Sequence, residues 1–190
     1  PKTNVNTVKG NSLPFLYSMN PYQGCEHGCA YCYARPTHQY WGYSAGVDFE
    51  RIILVKKNAP ELLEQVFRKK GYQPSVIQLS GNTDSYQPIE RKLQLTRKLL
   101  QLCLEYRHPV SIITKNALVL RDLDILKPMA EKNLVNVSLS IPTVNEDLRR
   151  ILEPRTSSVK TKLQALKTLS ENGIPTHVMV APIIPGLNSM

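Results

Sequence analysis

Three of the chain's four cysteines fall within eight residues, in the stretch Cys25-Glu26-His27-Gly28-Cys29-Ala30-Tyr31-Cys32. A secreted disulfide scaffold spreads its cysteines along a shorter chain, so crowded thiols point instead to a metal. Close spacing on a loop lets three thiolates converge on an iron–sulfur cluster, each holding one iron. A 4Fe-4S cluster held by protein alone takes four cysteines. The remaining one here, Cys103, lies among Leu100, Leu102 and Leu104 in an amphipathic pattern and reads as a small buried hydrophobe. With Cys25, Cys29 and Cys32 as the ligands, one iron stays open. An open iron can bind a substrate or cofactor as well as carry electrons.

Zinc is the rival. The three cysteines plus His27 or His38 would make a Cys3His site. Structural zinc motifs usually bring two separated ligand pairs, and this sequence has no second pair. His27 reads as a solvent-exposed loop residue, and the cluster is the preferred reading.

A strand–helix series surrounds and follows the loop. After a polar start with turn formers Gly10, Asn11 and Pro14, residues 15–19 read as a short strand. Residues 51–55 are a second candidate strand, and Pro60-Glu61-Leu62-Leu63 opens a helix with Pro and Glu in its first turn. Strands over 76–80, 110–114, 135–141 and 176–181 then alternate with helices over 89–106, 120–132, 146–152 and 160–172, the last stopped by Gly173. Such alternation predicts an α/β fold with a parallel sheet and outer helices, as an open sheet or a barrel. Along 135–141, Val137, Leu139 and Ile141 share one face, and Asn136, Ser138 and Ser140 the other. Covered parallel strands are usually apolar on both faces, so a polar face suits an inner surface lining a wet cavity.

At 190 residues, 42% of them hydrophobic, the chain fits one domain with its own core. No apolar run approaches the ~18 residues needed to span a bilayer. No signal peptide is visible in the polar first ten residues, so a soluble cytoplasmic protein is expected. The chain stops at Met190 straight after a strand and a Pro-rich loop, and is expected to lack a C-terminal portion. Its formal net charge of +9 favours anionic partners, although the basic residues are dispersed in pairs and triplets.

The spacing Cys-x3-Cys-x2-Cys, with Tyr31 before the last cysteine and a strand before the loop, resembles the radical SAM superfamily, whose members reductively cleave S-adenosylmethionine (SAM). Residues 83–90 (Thr-Asp-Ser-Tyr-Gln-Pro-Ile-Glu), 113–116, 152–156 and 180–188 look like its spore photoproduct lyase-related branch. The resemblance implies a partial (βα)6 TIM-like barrel, incomplete at its C-terminus here, with residues 1–190 forming a radical SAM core domain. It implies a 4Fe-4S cluster on Cys25, Cys29 and Cys32, with SAM as the second cofactor. It matches Tyr31 to an aromatic near the adenine, and Ser138 and Ser140 to fourth-strand positions near the ribose and methionine. Arg155 resembles a residue that meets the SAM carboxylate, and residues 181–186 a segment lying along the adenine. The family's Gly-Gly-Glu stretch for the SAM amino group falls at Ser80-Gly81-Asn82-Thr83-Asp84, which departs from that pattern. Lys115, ending the third strand of the series, faces the cavity or reaches to solvent. Spore photoproduct lyase itself donates hydrogen from a cysteine after the second strand, and this chain has none there. The expected partners are a substrate of unknown identity, with nucleic acid the first choice, and an electron donor such as flavodoxin or ferredoxin; no membrane is expected. The reading from a different class is a non-catalytic zinc or iron–sulfur module that binds nucleic acid.

Overall fold

The computed structural model describes residues 5–8 and 17–189. The turn formers Gly10, Asn11 and Pro14, and Phe15 and Leu16 of the first expected strand, lie outside these residues. Strands β1 (Val5–Thr7), β2 (Tyr17–Met19) and β3 (Tyr22–Gln23) lead to a 3-10 segment (Arg35–Trp41), helix α1 (Asp48–Arg51), β4 (Leu54–Val55) and α2 (Ala59–Phe67). Then follow β5 (Ile77–Leu79), α3 (Glu90–Leu93), α4 (Leu95–Glu105), β6 (Val110–Thr114), a second 3-10 segment (Ala117–Asp122), α5 (Leu123–Ala130) and β7 (Val135–Ser140). Helices α6 (Glu146–Leu152) and α7 (Val159–Glu171) precede β8 (Thr176–Met179).

One sheet has the order β1-β2-β5-β6-β7-β8. Strands β2, β5, β6, β7 and β8 are parallel, and β1 lies antiparallel on the edge. The parallel strands run in chain order without the reversal of a doubly wound sheet. That is the wall of a partial barrel, one of the two arrangements the α/β alternation allowed and the one the family resemblance implied. Strand β1 was not expected. The candidate strand at 51–55 shrinks to β4, which pairs with β3 outside the main sheet.

Two expected helices are divided. The helix over 89–106 breaks at Gln94, whose φ of 51° is left-handed. The cause is Glu90: its carboxylate accepts the N–H groups of Thr96 at 3.1 Å and Arg97 at 3.4 Å, starting a fresh helix there. The helix expected over 120–132 begins earlier, as a 3-10 turn, because Asn116 Oδ1 accepts the Leu118 N–H at 3.0 Å.

Alternation on the strands sorts the faces. Ile77, Leu79, Val110, Ile112, Val135, Val137 and Leu139 pack under Leu99, Leu100 and Cys103 of α4, Leu126 and Met129 of α5, and Ala165 and Leu169 of α7. Burying each such Leu or Ile side chain is worth roughly 1.5–3 kcal/mol. The register sets Ser18, Gln78, Ser111 and Asn136 in one row on the other face. There Ser111 Oγ meets Asn136 Oδ1 at 2.8 Å, and Gln78 Nε2 donates to the Ser111 carbonyl at 3.1 Å. The inner face therefore carries a hydrogen-bonded polar row, with Ile113 and Met179 beside Ser138 and Ser140 on the same side.

Candidate cluster and cofactor site

The cysteine loop leaves β3 and is shaped by two glycines. Gly24 has a φ of +81°, and a Cβ on it would come within 2.8 Å of the Ile52 carbonyl oxygen. Gly28 has a φ of +66°, and a Cβ there would strike the Arg155 guanidinium. Both positions require glycine. Between them, Cys25 N–H donates to the Phe49 carbonyl at 2.8 Å.

Connections beyond other strands pin the rest of the loop. After β5, Thr83 Oγ1 and Gln87 Nε2 donate to the Gly24 carbonyl, and Gln87 Oε1 accepts the Glu26 N–H at 2.9 Å. Beyond β7, at the end of α6, the Leu152 carbonyl accepts the Ala30 N–H at 2.9 Å, and Arg155 N–H donates to the His27 carbonyl at 3.3 Å. Tyr31 donates its hydroxyl to Glu153. Glu153 is wholly buried and is paired with the equally buried Lys162 at 2.6 Å. The loop thus sits over the C-terminal ends of the parallel strands, where barrel sites form.

All four thiols are free. Cys25 and Cys29 are buried and Cys32 is half-buried, while Cys103 is sealed in the core beneath α4. Burial pushes the Cys29 thiol up to about 12, against the pull of Lys115, and raises Cys32 as well. Such thiols are poor nucleophiles until a metal takes the proton's place.

The donor set fits a cluster better than zinc. Among the described residues, no three His, Cys, Asp or Glu side chains converge as a single ion requires. Zinc needs its sulfur ligands about 2.3 Å from one point, whereas three thiols that each hold a different iron need not meet. The histidines are also engaged elsewhere. His38 Nε2 faces the Ile52 carbonyl at 3.0 Å, and His27 Nε2 faces Asn116 Nδ2 at 3.3 Å. The expectation of an exposed His27 is overturned. It is fully buried because Asp84 and Asn116 draw its ring inward. Among the described residues, the buried side-chain atoms without a hydrogen bond are Asn20 Oδ1, Gln23 Oε1, His27 Nδ1 and His38 Nδ1, all flanking this loop. Orphaned polar atoms are rare, and their clustering suits a site built for a further group.

The sequence matches the radical SAM superfamily over residues 19–189. The chain belongs to this superfamily. It is 35% identical over 176 residues to an uncharacterized protein of Mycobacterium tuberculosis, covering 93% of this chain and 52% of that protein. A radical SAM Nalpha-GlyT isomerase of Pseudomonas phage M6 is 25% identical over 168 residues, 88% of this chain and 33% of the phage protein. A spore photoproduct lyase mutant with bound AdoMet and dinucleoside spore photoproduct shares the fold. The TM-score is 0.61 at 19% identity, covering 94% of this chain and 48% of that one. The chain therefore spans about half the length of the mycobacterial relative.

Within this radical SAM fold, the expected cofactor residues divide into accessible and committed ones. Gly81 and Asn82 are exposed, and the Gly81 carbonyl accepts the Tyr33 hydroxyl. Ser138 and Ser140 are buried on the inner face, where their parity put them. Thr83 is spent on Gly24. Asp84 is fully engaged: it accepts the N–H groups of Tyr86 and Lys115 and the Thr114 hydroxyl, each at 2.8 Å. Burial alone would raise its carboxyl, but His27 and those N–H groups hold it down at about 2. Arg155 is paired with the Glu50 carboxylate and the Glu26 carbonyl. Tyr31 is tethered through its hydroxyl. Sequence reasoning misplaced His27 on the surface and missed Asn20 and the Glu153–Lys162 pair. One signal was available: Lys162 interrupts the stripe Val159, Lys162, Ala165, Leu169 that α7 buries.

Proposed function

We propose that this chain is the core of a radical SAM enzyme in which Cys25, Cys29 and Cys32 hold a 4Fe-4S cluster with one open iron for SAM. Once bound and reduced, that cluster supplies the electron that cleaves SAM to methionine and a 5′-deoxyadenosyl radical, which acts on a substrate. One observation carries the reading: three free thiols ride a glycine-shaped loop at the C-terminal ends of parallel strands, while the fourth cysteine is locked in the core. Among the described residues, the fourth thiol, on Cys103, is buried in the core and not free to close the cluster. Tyr31, Gly81, Asn82, Ser138, Ser140 and Arg155 border the space given to SAM, and Thr83 and Asp84 hold its walls in place. Arg155 would exchange Glu50 for the SAM carboxylate, a fork-to-carboxylate pairing of the same kind.

A nucleic-acid substrate is supported by the net charge of +9 and by a structural neighbour, spore photoproduct lyase, that binds a dinucleoside photoproduct. Among the described residues, no helix is long and apolar enough to cross a membrane. Free thiols suit the reducing cytoplasm, where a flavodoxin or ferredoxin would deliver the electron. Anaerobic purification of the full-length protein should give a brown sample with equal iron and sulfide. Dithionite and SAM should then yield 5′-deoxyadenosine. A colourless zinc protein, or a cluster-loaded protein that leaves SAM intact, overturns the reading.

A further inference from the structure

Helix α6 ends against the cysteine loop and grips it twice. The Leu152 carbonyl takes the Ala30 N–H at 2.9 Å, and Glu153 Oε1 takes the hydroxyl of Tyr31, the next residue of the loop. Arg149 holds the Glu153 backbone: its carbonyl accepts the Glu153 N–H at 2.7 Å, and its Nη1 donates to the Glu153 carbonyl at 2.9 Å. The other carboxylate oxygen, Oε2, accepts from Lys162 Nζ at 2.6 Å and from Thr156 Oγ1 at 3.3 Å. Lys162 Nζ also donates to the carbonyl of Ser140, the last residue of β7, at 3.1 Å. One ion pair thus joins Tyr31 on the loop to Ser140 on the sheet. Lys115 Nζ stands by the same carboxylate at 3.9 Å and over the Tyr31 ring, 5.9 Å from its centroid. Glu153 and Lys162 have no exposed surface. Stability alone does not call for such a pair, because apolar residues of similar volume often serve as well. Apolar residues cannot, however, hold a hydroxyl and a carbonyl in fixed directions.

We propose that Glu153 and Lys162 are positioning residues for SAM: the pair fixes the Tyr31 ring and the end of β7 where two sides of the cofactor come to rest. The inference rests on the SAM site proposed above, in which Tyr31 meets the adenine and Ser140 the ribose and methionine. Both members of the pair are sealed beneath that site and act through the residues they hold. Freed from Glu153, the half-buried Tyr31 ring would have to be ordered afresh by each incoming SAM. Ordering a side chain at a binding site costs affinity. The chemical step would be untouched, and a loss of uniform binding raises KM while leaving kcat alone.

The test is steady-state cleavage of SAM by the reconstituted, dithionite-reduced full-length protein, with iron content and urea unfolding measured on each variant. Tyr31→Phe deletes one hydroxyl and should raise the KM for SAM about fivefold at unchanged kcat and iron content. The apolar replacement Glu153→Leu with Lys162→Met should raise it at least as much, while unfolding near the wild-type midpoint. Adding Tyr31→Phe to that replacement should change nothing further, because the hydroxyl has already lost its acceptor. Glu153→Gln with Lys162→Met keeps an oxygen for Tyr31 and should recover part of the affinity. A wild-type KM in Tyr31→Phe or in the apolar replacement, or effects of the two that simply add, overturn the proposal. Loss of iron from Tyr31→Phe also overturns it, since the tether would then serve the cluster loop and not SAM. Should the apolar replacement fail to fold, Tyr31→Phe decides alone. A wild-type protein that holds no cluster, or holds one and leaves SAM intact, refutes the parent reading instead.

Discussion

Two buried histidines at opposite ends of the same sheet are handled in opposite ways. His108, just before β6 at the N-terminal end of the parallel strands, uses both ring nitrogens: Nδ1 on the Pro109 carbonyl at 3.0 Å and Nε2 on the Tyr72 hydroxyl at 2.9 Å. It stacks on Phe67 with ring centroids 4.5 Å apart. His27, at the C-terminal end, leaves Nδ1 without a formed bond, and Asn20 Oδ1, Gln23 Oε1 and His38 Nδ1 are likewise unpaired. A satisfied polar group stabilises a core, whereas an unsatisfied one costs about 1–3 kcal/mol. The fold closes its hydrogen bonding at one end and leaves polar atoms unpaired at the other, an arrangement that suits a site built for a further group.

The largest test of this contrast is chemical. Replacing Cys25, Cys29 or Cys32 by Ala should abolish cluster uptake, while Cys103→Ala, behind the sheet in the same chain, should leave iron content unchanged. Loss of iron from Cys103→Ala would break the contrast. Next in size is the buried pair under the loop. Lys162 donates to Glu153 at 2.6 Å and to the Ser140 carbonyl at 3.1 Å, with both side chains almost wholly buried. Removing one partner of such a pair costs roughly 3–5 kcal/mol. Lys162→Met should fall at the low end, about 3 kcal/mol in urea unfolding, because Tyr31 and Thr156 still donate to Glu153. Adding Glu153→Gln should recover part of the loss. A single-variant cost near that of a surface pair, about 0–1 kcal/mol, would show that the loop end does not depend on this charge.

Much of this was legible in the sequence, for reasons that differ by region. Strand–helix alternation and side-chain parity gave β5 to β8, the parallel sheet and the inward turn of Ser138 and Ser140, because period-2 patterning directly reflects which face is oily. The three crowded cysteines gave the loop. The break at Gln94 was not legible, since it depends on the Glu90 carboxylate reaching residues six and seven positions onward. The β1 edge strand has only three residues, too few for a periodic signal. His27 was misjudged because loop residues are usually exposed, and the partners that bury it, Asp84 and Asn116, lie on two other connections. Arg155 and Asp84 were read as ligand contacts from sequence. The protein's own pairings of both become visible only once Glu50 and His27 are brought beside them.

The smallest effect belongs to the saturated end and concerns acid. Burial holds His108 below the ordinary histidine range, against the pull of the Pro109 carbonyl. A base whose folded pKa is depressed binds its proton more readily when unfolded, so its contribution to stability is complete above the unfolded value, about 6.5. That contribution is lost as pH falls through the folded value. Protonation would also take Nε2 away as the acceptor for the Tyr72 hydroxyl. His108→Phe keeps the stack on Phe67 but cannot titrate. The gap in urea midpoint between wild type and His108→Phe should therefore be constant at neutral pH and shrink below about pH 6.5. The other titrating groups, His27 among them, act equally in both proteins and cancel in the difference. A gap that widens on acidification would mean that protonated His108 finds a partner at the closed end, and the contrast between the two ends of the sheet would fail there.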